Sequence, residues 1–409
     1  MNLDKETLRG RLRLKPVGPE YLDQFNELLR YVFQVTNRDI AESGYRDGEL
    51  IQAKRPVLQN ADVIGWFNED DELVSQLAVY PCRVNVHGKL YNMAGLTGVG
   101  TYPEYASLGL MKDLIRTALE HMRARKQWIS YLYPYSIPYY RHKGWEIMSD
   151  HLTFTIRDSQ LPKITEVSGY VERLDADDPD VVAVYDRFAR ITHGAMLRDQ
   201  LNWDEYWRWE NEDERTAGVY YDQNGQAMGY VLYWIIDEVF NIKEMIYLNQ
   251  DARKGLWNFI SAHFSMIHSV HGNIYRNEPI AFLLEDGEIK ETIEPYSMAR
   301  IVDVEAFLKE YPFPGDSAEP FHFIVDDPLV EWNTGVFGVQ WNRQGNVVVS
   351  RDAVGKPIKT TIQTLTALLM SYRSPSYLYR IERLQADEAT VQMLEYLIPD
   401  QEPYFSDYF

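Results

Sequence analysis

The chain alternates short apolar runs of strand spacing with longer apolar stripes of helical spacing. Pro19 opens a stretch in which Leu22, Phe25, Leu28, Leu29, Val32 and Phe33 share one side of a 3.6-residue repeat, which predicts an amphipathic helix. Strand-like runs follow at Val63 to Phe67, Leu73 to Tyr80 and Val84 to Val86, then a turn at His87-Gly88-Lys89. A Gly-interrupted apolar strand, Leu96 to Thr101, stops at Pro103. Gly109 then opens a helix with Leu110, Leu114, Ala118 and Met122 on one stripe, and Tyr131 to Tyr133 predicts another strand. These segments predict a first domain at about residues 1–155.

A second block, about residues 156–294, contains the acidic run Asp175 to Asp180, which predicts a loop placing negative charge at a helix N-terminus. An aromatic-rich helical stretch with Trp203, Trp207 and Trp209 follows, then a hairpin turning near Asn224-Gly225. The run EMIYLNQDARKGLWNFISAHF repeats the strand–loop–helix theme, with Gly255 where Gly109 stands and Trp257 in the position of Met111. An indole there would obstruct a phosphate, so this copy is expected to support structure rather than bind a cofactor. The last block, about residues 295–409, pairs GVFGVQW with NVVVSR and adds two amphipathic helices, TIQTLTALLMSY and EATVQMLEYL. The sum is an α+β (mixed α/β) chain of three units. No Gly/Ser/Pro-rich linker separates them, so rigid packing is expected.

Composition narrows the function. With 409 residues, 45% of them hydrophobic and 13% aromatic, the chain can bury several cores. No apolar run approaches the roughly 20 residues that span a bilayer, and MNLDKETLRGRLRLKP has no secretory apolar region. With one cysteine, these features predict a cytoplasmic protein without membrane contact. Cys82 lies in the strand-like AVYPCRVNV without an adjacent partner and is expected to be structural. A net charge of −20 disfavours nucleic acid and favours cationic partners, although most of the excess serves solubility. No metal is expected: His263, His268 and His271 cluster without carboxylates at ligand spacing, and no P-loop or Gly-x-Ser-x-Gly elbow is present.

The run GLTGVGTYPEYASLGLM, Gly95 to Met111, carries the candidate chemistry. A strand feeding a glycine-containing loop and a helix N-terminus presents unpaired N–H groups and positive dipole potential to an anion. The pattern resembles motif A of the GNAT acyltransferases, Gln/Arg-x-x-Gly-x-Gly/Ala. Gly109 matches, while the basic position is Ala106 and the last small position is Met111. With the Tyr140-Arg141-His142-Lys143-Gly144-Trp145 block, the run MARIVDVEAFL from Met298 and the terminal Phe409, the chain resembles the enhanced intracellular survival (Eis) acetyltransferases over nearly its whole length.

The resemblance implies two GNAT-like domains, the first catalytic, and a sterol-carrier-protein-like third. It implies acetyl-CoA as cosubstrate, a homo-hexamer, and amine acceptors of the aminoglycoside or polyamine-like class, with protein lysines also open. Backbone groups of Val99, Gly100 and Thr101 would pair with pantetheine, and N–H groups of Ser107, Leu108, Gly109, Leu110 and Met111 with pyrophosphate. Loss of the basic residue at 106 is expected to weaken this by about 1–2 kcal/mol, and Glu104 would oppose the phosphates unless it points away. Tyr140 would be the acid for the leaving thiolate, with Tyr139 a confusable neighbour and His142 expected at the surface. The carboxylate of Phe409 would take the ammonium proton. Phe33, Glu402 and Asp407 are assigned to the acceptor pocket. Two rivals are a longer-chain acyltransferase, since N-myristoyltransferases also join tandem GNAT folds to a catalytic carboxylate, and a non-enzymatic lipid carrier.

Overall fold

Two strands of opposite sequence origin hold the molecule together. The structure, a computed structural model, describes residues 5–36, 38–39, 52, 54–207, 216–275, 278–314 and 319–408. In the first block, β1 (Arg13–Pro16), β2 (Asp62–Phe67), β3 (Leu73–Val86), β4 (Lys89–Thr101), β5 (Ile129–Leu132) and β6 (Glu146–Arg157) follow in sequence. The second block supplies β7 (Tyr170–Leu174), β8 (Met196–Leu197), β9 (Thr216–Tyr221), β10 (Ala227–Ile236), β11 (Val239–Tyr247) and β12 (Ser269–Asn273), and then comes β13 (Lys290–Ile301). Among the described residues they form one sheet in the order β1-β2-β3-β4-β5-β13-β6-β12-β11-β10-β9-β7, with β8 added to β3. β13 runs between β5 and β6, and β6 pairs with β12 of the second block. The domain boundaries expected near residues 155 and 295 fall inside these two shared strands.

β3 is one continuous strand, not the two segments expected around Pro81 and Cys82. The last pairing with β2 is at Val79 and the first with β8 at Arg83, so Pro81 lies where that edge has no partner. Its missing N–H therefore costs no ladder bond. Cys82 is buried, as expected, with Asn202 Nδ2 at 3.7 Å, and burial pushes its thiol up to about 12.

The helices pack where their stripes direct. α1 (Lys5–Gly10) and α2 (Leu22–Val32) precede α3 (Arg55–Asn60), α4 (Leu110–Ala124) and α5 (Ile137–Arg141). α4 buries Leu114, Ile115, Ala118, Leu119 and Met122 in one cluster with Leu77, Val79 and Leu96 of the sheet. α2 buries Phe25 and Leu28 in a separate cluster that contains Tyr80 and Met93. In the second block, α6 (Pro179–Ile191) follows the acidic run, whose Asp178 caps it by accepting from Asp180 N. α7 (Gln200–Trp207) carries Trp203 and Trp207, and Trp209 lies outside the described residues. α8 (Gln250–Ser261) begins after the N-cap Asn249.

The third block contains α9 (Val304–Glu310), β14 (Phe321–Asp326), β15 (Gly335–Trp341), β16 (Val347–Ser350), β17 (Lys356–Thr361), α10 (Ile362–Leu369), α11 (Pro375–Arg380) and α12 (Glu388–Leu397). Its sheet order is β16-β15-β14-β17, and α10 fills it with Ile362, Leu365, Leu368 and Leu369. That core is continuous with the core of the first block through Phe25, Tyr131 and the tail residue Phe405. No helix among the described residues is long and apolar enough to cross a membrane.

A histidine pair marks the junction of the three blocks. His87, in the β3–β4 turn, stacks on His193 after α6 with ring centroids 3.6 Å apart. His193 Nε2 lies 2.9 Å from the Met370 carbonyl after α10, and the His193 carbonyl accepts from Tyr404 N of the tail at 2.9 Å. Burial depresses His87 to about 4, and burial with the His87 charge depresses His193 to about 3. Both folded values lie below the unfolded value near 6.5, so the unfolded chain binds more protons between them. Stability therefore rises with pH across roughly pH 4 to 6.5 from this pair. Thermal unfolding followed from pH 7 to pH 5 is expected to show a falling Tm, with a shallower slope in His87→Gln; equal slopes would exclude the pair as the source.

Candidate active site

The site begins where two parallel strands part. β4 and β5 pair at Met93↔Ile129, Ala94↔Ser130 and Gly95↔Tyr131, and no further. β4 continues to Thr101 on its other partner, β3, with a register shift between Gln76 and Ala78 that bulges Gly98 and Val99. Beyond Gly95, β4 thus has no strand on its β5 side. A cavity of about 410 Å³ opens there, lined by Val99, Gly100, Thr101, Ser107, Gly109, Leu110 and Met111, all assigned to the cofactor from sequence, and also by Lys112, Tyr139 and Lys143. Leu108 does not line it; its side chain packs with Leu12 and Val74, because the turn aims it inward. Glu104 is exposed and is not part of the lining.

Gly109 is the N-cap of α4 at φ 78°, a left-handed conformation in which a Cβ would meet Arg9 Nη1 at 2.8 Å. No side chain caps the helix, so its first-turn N–H groups open onto the cavity. Arg9 of α1 braces the turn from behind, donating to the Leu108 carbonyl and pairing with Asp113.

The tyrosine block forms the other lip. Ser136 caps α5 by accepting from Tyr139 N at 3.4 Å. Tyr139 lines the cavity, whereas Tyr140 is buried in the cluster that holds Leu96 of β4, Leu132 of β5 and Leu114 of α4, with Val99 packed against it. Burial raises both phenols, so each stays protonated at neutral pH. His142 is exposed, its Nδ1 at 2.6 Å from the Pro138 carbonyl. Gly144 sits at φ 92°, and a Cβ there would lie 1.6 Å from Arg300 Nη1. Arg300 of β13, fully buried, donates to the Lys143 carbonyl and pairs with Asp327, and its guanidinium lies 5.3 Å from the Trp145 ring. Glu146 ties the block to Arg141 and Arg383.

A second cavity, about 390 Å³, lies across α2 from the first and reaches β4 at Thr97 and Gly98. Phe33, predicted for the acceptor, lines it with Phe25, Leu29, Tyr80, Arg30, Lys54 and Tyr408. Lys54 pairs with Glu205 at 3.1 Å. The other two acceptor residues are elsewhere. Glu402 is exposed on the tail and lines neither cavity. Asp407 is buried and bonded to Arg198 Nε at 2.5 Å and the Tyr185 hydroxyl at 3.1 Å, because an unpaired carboxylate could not be buried there. Phe409 lies outside the described residues. Its neighbour Tyr408 packs edge-on to Tyr133 at 5.6 Å, beside the second cavity.

The tail is fixed residue by residue. Phe405 packs edge-on against Tyr131 of β5 at 5.2 Å, Ser406 Oγ donates to Glu244 at 3.0 Å, and the Tyr296 hydroxyl donates to the Asp407 carbonyl at 3.0 Å. Arg198 and Arg300, which position the tail and the tyrosine block, are not evident from sequence. Arg300 lies inside the MARIVDVEAFL run, yet nothing local assigns its partner.

The second block repeats the theme without the opening. Gly255 is not a helix-opening residue; it lies inside α8, where a Cβ would be 2.3 Å from the Tyr220 ring. The helix start is occupied by the chain itself: Asp251 accepts from Ser168 Oγ at 2.6 Å and the Tyr220 hydroxyl at 2.5 Å.

Family models match in the same three places: an Acetyltransferase (GNAT) domain at residues 13–148, a second Acetyltransferase (GNAT) domain at 194–301, and a Sterol carrier protein domain at 304–406. The chain is therefore an acyltransferase of the GNAT class. Its three-domain fold is similar to that of Eis1 from Mycobacterium abscessus, on which it superimposes with a TM-score of 0.80 at 17% identity, covering 97% of this chain and 100% of that one. A conserved protein from Enterococcus faecalis V583, described as a probable N-acyltransferase, gives a TM-score of 0.87 at 29% identity over 97% of this chain and 99% of that one. A GCN5-related N-acetyltransferase from Anabaena variabilis ATCC 29413 gives 0.83 at 23% identity, covering 98% and 100%. No curated protein sequence matches the chain.

The Gly144–Arg300 contact gives a direct test. Gly144→Ala forces a Cβ into the guanidinium and a left-handed backbone on a residue that resists it, and is expected to cost about 2 kcal/mol or more in denaturant unfolding. An unchanged midpoint would mean that the block is not held by Arg300.

Proposed function

We propose that the protein transfers acetyl from acetyl-CoA to a primary amine in a ternary complex. The observation that carries this reading is the parting of β4 from β5 directly beside the uncapped start of α4, with a second cavity meeting β4 at the same bulge. The residues fit the cosubstrate: a free strand edge suits the pantetheine amides, and the helix N-terminus suits pyrophosphate. Acetyl-CoA supplies an activated thioester. Val99, Gly100 and Thr101 hold and align the pantetheine arm through their backbone groups. Tyr140, kept as a phenol by burial, gives its hydroxyl proton to the departing sulfur. The terminal carboxylate after Tyr408 receives the amine proton, which is consistent with the anchoring of residues 404–408.

For the acceptor, the second cavity favours an amine on a largely apolar body. Among the described residues its lining has aromatic and aliphatic side chains with Arg30 and Lys54, and no carboxylate. A polyamine-like or aminoglycoside acceptor is the second reading. It is favoured by an adjoining cleft of about 470 Å³ that shares Tyr80 and carries Asp199 and Asp204. Salt separates the two: binding of a polycation at those carboxylates weakens steeply between low and physiological ionic strength and in Asp204→Asn, while an apolar amine binds with little salt dependence.

Two variants test the chemistry. Tyr140→Phe is expected to lower kcat about 100-fold or more with acetyl-CoA affinity preserved, measured by thiol release; loss in Tyr139→Phe instead would move the acid by one residue. Appending Gly-Ser-Gly after Phe409 is expected to preserve folding and CoA binding but abolish most turnover, since it moves the carboxylate by about 3.3 Å per extended residue. Full activity in that protein would remove the carboxylate from the mechanism.

A further inference from the structure

The motif that the sequence matches ordinarily brings a basic side chain to the pyrophosphate, and here that position is Ala106. The structure contains two cations at the same cavity from other places. Lys112 stands in the first turn of α4, and Lys143 stands in the tyrosine block on the facing lip. We infer that Lys112 and Lys143 together replace the missing motif cation and grip the pyrophosphate of CoA from both sides of the cleft.

Three observations support this inference, which rests on the acyltransferase reading. First, Lys112 and Lys143 line one cavity of about 410 Å³ with Gly109 and Met111, so an anion at the α4 N-terminus lies between them. Second, neither has a carboxylate within ion-pair distance among the described residues, in a chain whose acidic residues outnumber its basic ones 61 to 41. Their nearest competitor is committed: Arg9 is spent on Asp113 and the Leu108 carbonyl. Third, the pair is held in mutual repulsion. Burial lowers the Lys143 pKa, and the charge of Lys112 lowers it further, while the Lys143 ammonium lies 5.5 Å from the Tyr139 ring centroid. A bound diphosphate would offset that repulsion.

The arrangement also couples cosubstrate binding to the catalytic lip. Lys143 immediately precedes Gly144, and its carbonyl accepts from Arg300. Seating the diphosphate on Lys143 therefore braces the segment that carries Tyr140.

The test is calorimetric and needs no turnover. Acetyl-CoA, acetyl-dephospho-CoA and acetyl-pantetheine are titrated into the wild-type protein and into Lys112→Gln, Lys143→Gln and the double variant, with Tm confirming that each is folded. Each single variant is expected to weaken acetyl-CoA about three- to tenfold and the double variant more, with a reduced salt dependence. The same loss is expected with acetyl-dephospho-CoA, which keeps the diphosphate, and none with acetyl-pantetheine, which lacks it. Lys→Arg at either position is expected to restore affinity. Wild-type affinity in the double variant would overturn the inference, and a loss confined to acetyl-CoA would reassign the lysines to the 3′-phosphate and overturn it as well. Wild-type protein that binds neither CoA form would instead overturn the acyltransferase reading, and this inference with it.

Discussion

A guanidinium shut away from water must have its charge matched where it stands, and Arg198 meets that demand with two carboxylates from distant parts of the chain. Glu244 of β11 receives Nη1 and Nη2 at 3.1 and 2.8 Å, and Asp407 of the tail receives Nε at 2.5 Å. The hydroxyls of Tyr230 and Tyr185 take further lone pairs of the two acids. Such a buried cluster adds little net stability compared with apolar packing, yet loss of one partner strands a charge at a cost of about 3–5 kcal/mol. What it confers is position. With Asp407 locked, Tyr408 is held beside the second cavity, packed on Tyr133. The placement of the tail as far as Tyr408 hangs on an arginine in a different domain.

Much of this was legible in the sequence because the signals were local. The stripe of α4, the Gly109 start and the Asn224-Gly225 hairpin each arise from residues a few positions apart, and each is found where periodicity and turn chemistry put it. The cradle residues came from the same local pattern. What was not legible depends on partners far along the chain. The runs expected at Leu73 to Tyr80 and Val84 to Val86 join through Pro81 into one strand, because the gap between β2 and β8 leaves the proline without a ladder bond to lose. Asp407 read as an acceptor contact because a carboxylate near an aromatic tail has no visible counter-ion until Arg198 is placed. Gly255 read as a helix start because a glycine after a strand resembles one, whereas its reason is the face of Tyr220.

The two GNAT domains show how little separates a binding site from a scaffold. Both present a strand, a loop and a helix to the same kind of space. In the first, α4 starts with no side chain on its amides. In the second, Asn249 caps the helix while Asp251, Ser168 and Tyr220 close a hydrogen-bonded ring over the same ground. The helix start is thus capped and covered by the chain's own side chains.

The position of β13 also bears on how the molecule is made. Met298 pairs with Leu132 and with Ile147, so the strand that completes the first block's part of the sheet is the last of that sheet's strands to leave the ribosome. Until then β5 ends in an unpaired edge, four apolar-rich residues long, next to the parted β4. A nascent chain halted before residue 290 would expose that edge to any strand that could join it, including another copy of itself. The sheet of the first block therefore stays incomplete during synthesis until β13 has been made. It would remain a folding intermediate that needs protection until nearly three quarters of the protein has emerged.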